Sequence, residues 1–218
     1  MARGLRLSVP GRLWTLVGTL LALPALAVGT GPGLARQVLT WQPALAGAEP
    51  WRCWSAAWVH FSPLHLGANL AGALMLLLLG SVARLPHQAA VAWALAWPLT
   101  HLALLGVPAL VRYGGLSGVL HAGVAVAAVV LVRQPGRPPA ERWLGAALGL
   151  GALAKALSER PWGAVVVHPA GWDIAVAPVA HACGLACGLL AAAAMPLPRV
   201  GLRSRSSSPA RPPGSSAG

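Results

Sequence analysis

The sequence predicts an all-α membrane protein, a bundle of six transmembrane helices. Three observations predict it. Only 9% of the 218 residues are charged and 56% are hydrophobic, whereas a soluble domain carries roughly 25% charged residues. So little charge cannot build a water-facing shell, which leaves a surface that faces lipid. Apolar stretches of about 20 residues, the length that crosses a bilayer as a helix, recur along the chain. The Arg residues behind the net charge of +12 sit at the ends of those stretches, where orientation signals belong. They form no stripe on a soluble face, so nucleic-acid binding is not expected.

Six spans follow in order. The first is Leu13–Val28, ahead of which stand Arg3, Arg6 and Arg12. The second is Ala56–Val82. The third, Ala89–Val111, is expected to break near Pro98 and Pro108. The fourth is Leu116–Val132. The fifth, Trp143–Leu157, is short and has Lys155 near one end, where it can snorkel or pair with Glu159 at i+4. The sixth is Ile174–Met195. Between the fourth and fifth, RQPGRPPAER at 133–142 is too polar and Pro-rich to span. The chain thus divides into a cytoplasmic N-terminal segment (1–12), a six-helix membrane domain (13–197) and a disordered, basic, Ser/Pro-rich cytoplasmic tail (198–218). With the N-terminus inside, the inner segments hold eleven Arg and the outer ones four, Arg36, Arg52, Arg112 and Arg160. Positive-inside orientation then puts both termini in the cytoplasm. A rival reading takes the first apolar run, ending at Ala25-Leu26-Ala27, as a cleaved signal peptide; an anchored first helix is the reading preferred. The outer loop from Gly29 to Ser55, with Trp41, Trp51, Trp54 and nearby Trp58, is expected at the headgroup level.

Polar groups inside spans are costly and mark function. His65 and Asn69 are i, i+4 on the second span and share a face; alone, the pair could be interhelical glue. Ser117 lies in GGLSG at 114–118, at the outer end of the fourth span. A helix N-terminus there offers free N–H groups that can stabilise an oxyanion. His181 lies about two turns into the sixth span from its outer end. Gly184 and Gly188 follow at i+3 and i+7, a glycine face for close helix packing. Ser117, His181, His65 and Asn69 therefore fall at one depth on three helices. A Ser needs a base, usually His, to become a nucleophile. The remaining polar groups read blandly. His101 is an interhelical hydrogen-bonding group, His87 and His168 are loop residues, and Trp93 and Trp97 face lipid or neighbouring helices. Cys53, Cys183 and Cys187 are small packing residues with no metal-ligand spacing. No metal or organic cofactor is implied.

The constellation resembles the rhomboid intramembrane serine proteases. The residues that carry the resemblance are Trp51-Arg52, His60, HLGAN at His65–Asn69, GLSG at Gly115–Gly118 and AHACGLACG at Ala180–Gly188. Their order and spacing match the family over about Trp51–Leu190. The resemblance implies a Ser117–His181 dyad with no third acid, and Asp173, eight residues before His181, is not assigned to a triad. It implies an oxyanion hole from His65, Asn69 and the Ser117 N–H, a structural role for His60, and Trp51-Arg52 bracing the first loop. His121, one turn after Ser117, stands where many rhomboids carry a Tyr. With the small size and KALSE at Lys155–Glu159, it looks like the rhombosortase subfamily. His121 itself is readable as a packing group or as a partner of His181. The implied partners are the bilayer and membrane-anchored protein substrates, GlyGly-CTERM proteins among them. The implied location is the inner membrane, with the site opening to the periplasmic or external side. The alternative is a catalytically inactive rhomboid-like binder of transmembrane helices. An unrelated transporter is disfavoured, because no Asp or Glu lies deep in a span.

Overall fold

A computed structural model describes residues 9–198 and 200. The expected basic segment before Val9 and almost all of the expected tail lie outside the described residues. Among the described residues eight α-helices follow one another: α1 (Val9–Thr30), α2 (Gly33–Leu39), α3 (Arg52–Ser55), α4 (Pro63–Val82), α5 (His87–Leu102), α6 (Ser117–Arg133), α7 (Pro139–Ser158) and α8 (Pro178–Ala194). Among the described residues there is no strand, only two isolated bridges, Trp41 with Tyr113 and Val167 with Val176.

Among the described residues three stretches are long and apolar enough to cross a membrane: Gly11–Thr30, Pro63–Val82 and His87–Gly106. This differs from the expectation of six. α6 and α8 are apolar but 17 residues each, about 25 Å of helix at 1.5 Å per residue. α7 has 20 residues but carries Glu141, Arg142 and Lys155.

Local chemistry sets the helix starts. Pro63, Pro139 and Pro178 each open a helix, where the missing N–H costs nothing. The Ser62 hydroxyl caps α4 by accepting from the His65 N–H at 3.1 Å. This cap is why the second long helix begins at Pro63 and not at Ala56; Ala56–Trp58 forms a 3-10 turn before it. The expected break at Pro98 does not occur, and α5 runs through it to Leu102. α5 is held by buried Trp93, whose indole donates to the Val119 carbonyl at 2.9 Å, and by Trp97, which donates to the Trp54 carbonyl at 2.9 Å. After a 3-10 turn at Ala103–Gly106 the chain reaches Pro108 and leaves the helix. His87, expected in a loop, is the first residue of α5.

α6 is the hub, packing against α4, α5, α7 and α8, with Val119, Ala122, Ala125, Val126 and Leu131 buried. Its closest neighbour is α8, and the contact is glycine on backbone. A Cβ on Gly184 would lie 1.9 Å from the Gly118 carbonyl oxygen, and one on Gly188 2.4 Å from that of Ala122. Glycine permits this approach because it has no Cβ. α1 packs on α4 and α5 through buried Trp14, Leu21 and Ala25, and the Trp14 indole donates to the Leu76 carbonyl at 2.8 Å.

The bundle has two distinct ends. At one, buried Arg137 donates to the Ala83 carbonyl at 2.5 Å and pairs with Glu141 at 2.5 Å. At the other, buried Arg52 donates to the Thr40 and Gln37 carbonyls at 2.7 and 3.1 Å and pairs with Glu49. Arg52 thus ties α3 to the end of α2 and the residue after it, while Trp51 beside it is 48% exposed. Trp41 departs from its expected headgroup position: it is fully buried and its backbone bridges to Tyr113. Trp54 is exposed.

Candidate active site

Ser117 is the first residue of α6 and His181 the fourth of α8. The glycine contact between those helices brings them together over 64 residues of sequence, and the Ser117 Oγ stands 3.0 Å from His181 Nε2. The chain reaches Ser117 through Gly115, whose φ of 152° is one that side chains rarely adopt. A Cβ there would also lie 3.0 Å from His65 Cε1, so glycine serves both the backbone and the neighbouring ring.

The other side of His181 corrects an expectation. No acid was expected beside it, but Glu159 Oε2 lies 2.6 Å from His181 Nδ1. Glu159 directly follows the end of α7, and its Oε1 accepts from Lys155 Nζ at 2.6 Å. The Lys155–Glu159 pair is the one expected from their spacing; the bond to His181 is not. A carboxylate only accepts, so Nδ1 carries the proton and Nε2 presents its lone pair to the Ser117 hydroxyl. Partial burial opposes ionisation of Glu159, but hydrogen bonds from His181 and Lys155 outweigh it and hold the carboxyl at about 2, below its ordinary 4.5. Asp173 stays apart from His181 and accepts from the Ser62 hydroxyl at 2.6 Å.

Two further groups touch the pair. The His121 ring stacks on that of His181, with centroids 4.4 Å apart and planes 13° apart, and its Nδ1 donates to the Ser117 carbonyl at 2.8 Å. His121 thus packs flat on His181 and is tethered to the backbone of Ser117. The Tyr113 hydroxyl lies 3.4 Å from the Ser117 Oγ. Sequence reasoning missed Tyr113 and the second role of Glu159. Tyr113, the one Tyr in the chain and four residues before the serine, was the available signal.

His65 and Asn69 line the same cavity as Ser117 and His181. His65 is buried and its Nδ1 has no hydrogen-bond partner. Asn69 Nδ2 donates to His60 Nε2 at 3.1 Å, while His60 Nδ1 faces the Trp58 carbonyl at 3.3 Å. His60 is thus a buried positioning group for the Asn69 amide, with a proton on Nδ1 and a lone pair on Nε2. His101, fully buried, donates from Nδ1 to the Cys53 carbonyl at 2.6 Å and leans on Tyr113. This is a tie between α5 and α3, the interhelical role expected of it.

Two cavities meet at the serine. One, of about 480 Å³, is bounded by Phe61, Arg112, Tyr113 and Val176. The other, of about 1060 Å³, opens between α4, α6 and α7 past Gly72, Met75, Leu120, Leu148 and Gly151, and His168 of the α7–α8 loop reaches its wall. Ser117, His181 and His65 line both. The larger of the two is lined mainly by apolar side chains. Among the described residues no cluster of His, Cys, Asp or Glu could hold a metal ion. Compared with known proteins, the chain matches no protein-family model and no curated protein.

Proposed function

We propose that this protein is an intramembrane serine endopeptidase of the rhomboid type, with the rhombosortases as the subfamily it is most like. What carries the reading is the Ser117 Oγ held 3.0 Å from His181 Nε2 at the junction of the two cavities. The mainly apolar cavity beside that pair, bounded by α4, α6 and α7, supports an apolar segment as substrate. In this reading all six long helices, α1 and α4 to α8, cross the bilayer, both termini are cytoplasmic, and the site opens to the external or periplasmic side.

The chemistry is acyl transfer. Ser117 attacks the scissile carbonyl carbon as its proton passes to His181 Nε2. The Ser117 N–H at the start of α6, His65 and the second Asn69 amide hydrogen are the donors available to the oxyanion. His181 returns its proton to the leaving amine, and a water, deprotonated by the same Nε2, releases the acyl group and regenerates the hydroxyl. No metal or organic cofactor takes part. The substrates are membrane-anchored proteins whose apolar segment occupies the larger cavity. GlyGly-CTERM proteins are the first class to try, on the resemblance carried by His121 and KALSE.

Co-expression with a tagged GlyGly-CTERM protein tests it. A shorter product on immunoblot is expected with the wild type and is absent with Ser117→Ala and His181→Ala at equal expression. Cleavage by Ser117→Ala at the wild-type rate would remove Ser117 from the nucleophile's role.

A further inference from the structure

The acid beside His181 belongs to neither helix of the pair. α6 supplies Ser117, α8 supplies His181, and α7 supplies Glu159 from just beyond its last turn. The contacts form an unbroken line: Ser117 Oγ to His181 Nε2 at 3.0 Å, His181 Nδ1 to Glu159 Oε2 at 2.6 Å, and Glu159 Oε1 to Lys155 Nζ at 2.6 Å. Each Glu159 oxygen has its own partner, so the carboxylate cannot rotate away from His181 without losing a hydrogen bond to Lys155. The His181 side chain is 9% exposed and that of Glu159 25%, so the bond between them is partly shielded from water, where charge-assisted hydrogen bonds count for more.

We propose that Glu159 is the third member of the catalytic machinery, a positioning residue that acts through His181, with Lys155 holding it in place. The proposal rests on the reading of Ser117 and His181 as nucleophile and base, and it departs from the acid-free dyad that the family resemblance implies. Glu159 fixes the tautomer with the proton on Nδ1, so that Nε2 is always the acceptor for the Ser117 proton. When Nε2 takes that proton, the imidazolium forms against a carboxylate already in place. The Nδ1 proton stays on His181 and Glu159 stays ionised, so no second proton moves. The flat stack of His121 on the opposite face of the ring restrains tilting, and Glu159 restrains rotation about the ring axis.

A fluorophosphonate carrying a fluorophore tests this without a known substrate. The Ser117 oxygen forms a bond to phosphorus, the P–F bond breaks, fluoride leaves, and the serine proton passes to His181 Nε2. Labelling of the full chain in detergent micelles is followed against probe concentration, giving the maximal rate kinact and the half-saturating concentration KI. The expected result is labelling of the wild type, none of Ser117→Ala, and for Glu159→Gln a kinact lower by roughly 100-fold or more with KI within about twofold. Glu159→Ala should lose as much and regain part of its rate in formate, which a purely structural role for the acid would not allow. Glu159→Gln labelling at the wild-type kinact would overturn the proposal and leave the Ser117–His181 reading standing. A loss in both variants that formate does not relieve and that raises KI would also overturn it, reducing Glu159 to a structural contact. A folded wild type that does not label would instead overturn the nucleophile reading, and the proposal with it.

Discussion

At the scale of the residue, the site is decided by which atom of each imidazole carries the proton. His60, His121 and His181 each have Nδ1 on an oxygen acceptor, the Trp58 carbonyl, the Ser117 carbonyl and the Glu159 carboxylate in turn. That leaves three Nε2 atoms as acceptors, one aimed at Asn69 and one at Ser117. His121→Phe keeps a flat ring on His181, whereas His121→Ala removes it. Fluorophosphonate labelling should therefore stay near wild type in the first and fall in the second by the worth of a stacked pair, roughly 0.5–1.5 kcal/mol or about 2–13-fold in rate. Glu159 also links stability to pH. Its carboxyl, ordinarily at 4.5, sits at about 2 in the folded chain, so between those values the unfolded chain binds more protons than the folded one. The stability it contributes is complete above pH 4.5 and is lost as the pH falls toward 2. The groups facing it are His181 and Lys155. The gap in thermal-unfolding midpoint between wild type and Glu159→Gln should be constant above pH 5 and close below 4.5. A gap that holds unchanged to pH 3 would contradict the assignment of the shift.

At the scale of the element, the α6–α8 contact sets the geometry of the pair. Ser117 and Gly118 on one helix face His181 and Gly184 on the other, so the close approach of the backbones also brings the Ser117 and His181 side chains within reach of each other. A Cβ on Gly184 cannot fit 1.9 Å from a carbonyl oxygen, and Gly118 itself has the Ala180 carbonyl 2.8 Å from its own Cβ position. Gly184→Val should cost about 1–3 kcal/mol or more as overpacking, seen as a lower unfolding midpoint, and should abolish labelling of Ser117 even where the chain still folds. Gly67 on α4, whose Cβ would meet nothing within 4 Å, is the control. Gly67→Ala should be neutral or stabilising by up to about 1 kcal/mol, because Ala is the better helix former. Equal damage from both substitutions would mean that α6 and α8 do not rely on close approach.

At the scale of the whole molecule, the larger cavity lies between α7 and α4 and beside the site. Gly151 of α7 lies on its wall and has open space where a side chain would stand. Gly151→Leu should fold normally and narrow the cavity. Cleavage of a transmembrane substrate should then fall roughly 10-fold or more, the scale on which an apolar pocket discriminates, while labelling by the small fluorophosphonate stays within about twofold. Loss of both activities together would point to damage at Ser117 and not to exclusion of the substrate. The two ends of the bundle differ in the same global sense: buried Arg137 and buried Arg52 each tie loops at their own end through backbone carbonyls. Arg side chains that orientation counting treats as topological charges therefore also hold loops in register.

Much of this protein was determined by its sequence alone. Composition and apolar length specify a helical, membrane-compatible chain, because a chain with so few charges cannot cover itself in polar groups. The apolar runs place the starts of α5 to α8 within four residues, but the second span read from Ala56 begins seven residues ahead of Pro63, because the Ser62 cap is a local contact and leaves no mark on hydropathy. The spacing of His65 and Asn69, and of His181, Gly184 and Gly188, was legible because the helical period places i, i+3, i+4 and i+7 on one face. Only the tertiary structure decided the rest. The burial of Trp41 depends on a bridge to Tyr113, 72 residues away. Glu159 read as half of an i, i+4 ion pair, and its bond to His181 exists because the α7–α8 loop turns the end of α7 back onto α8. The passage through Pro98 goes with the packing of α5 against α1, α3, α6 and α8. Periodicity records what lies on one helix face. It carries no record of which faces meet, or of where a loop of 19 residues returns the chain, and the contacts around His181 are made by those two facts.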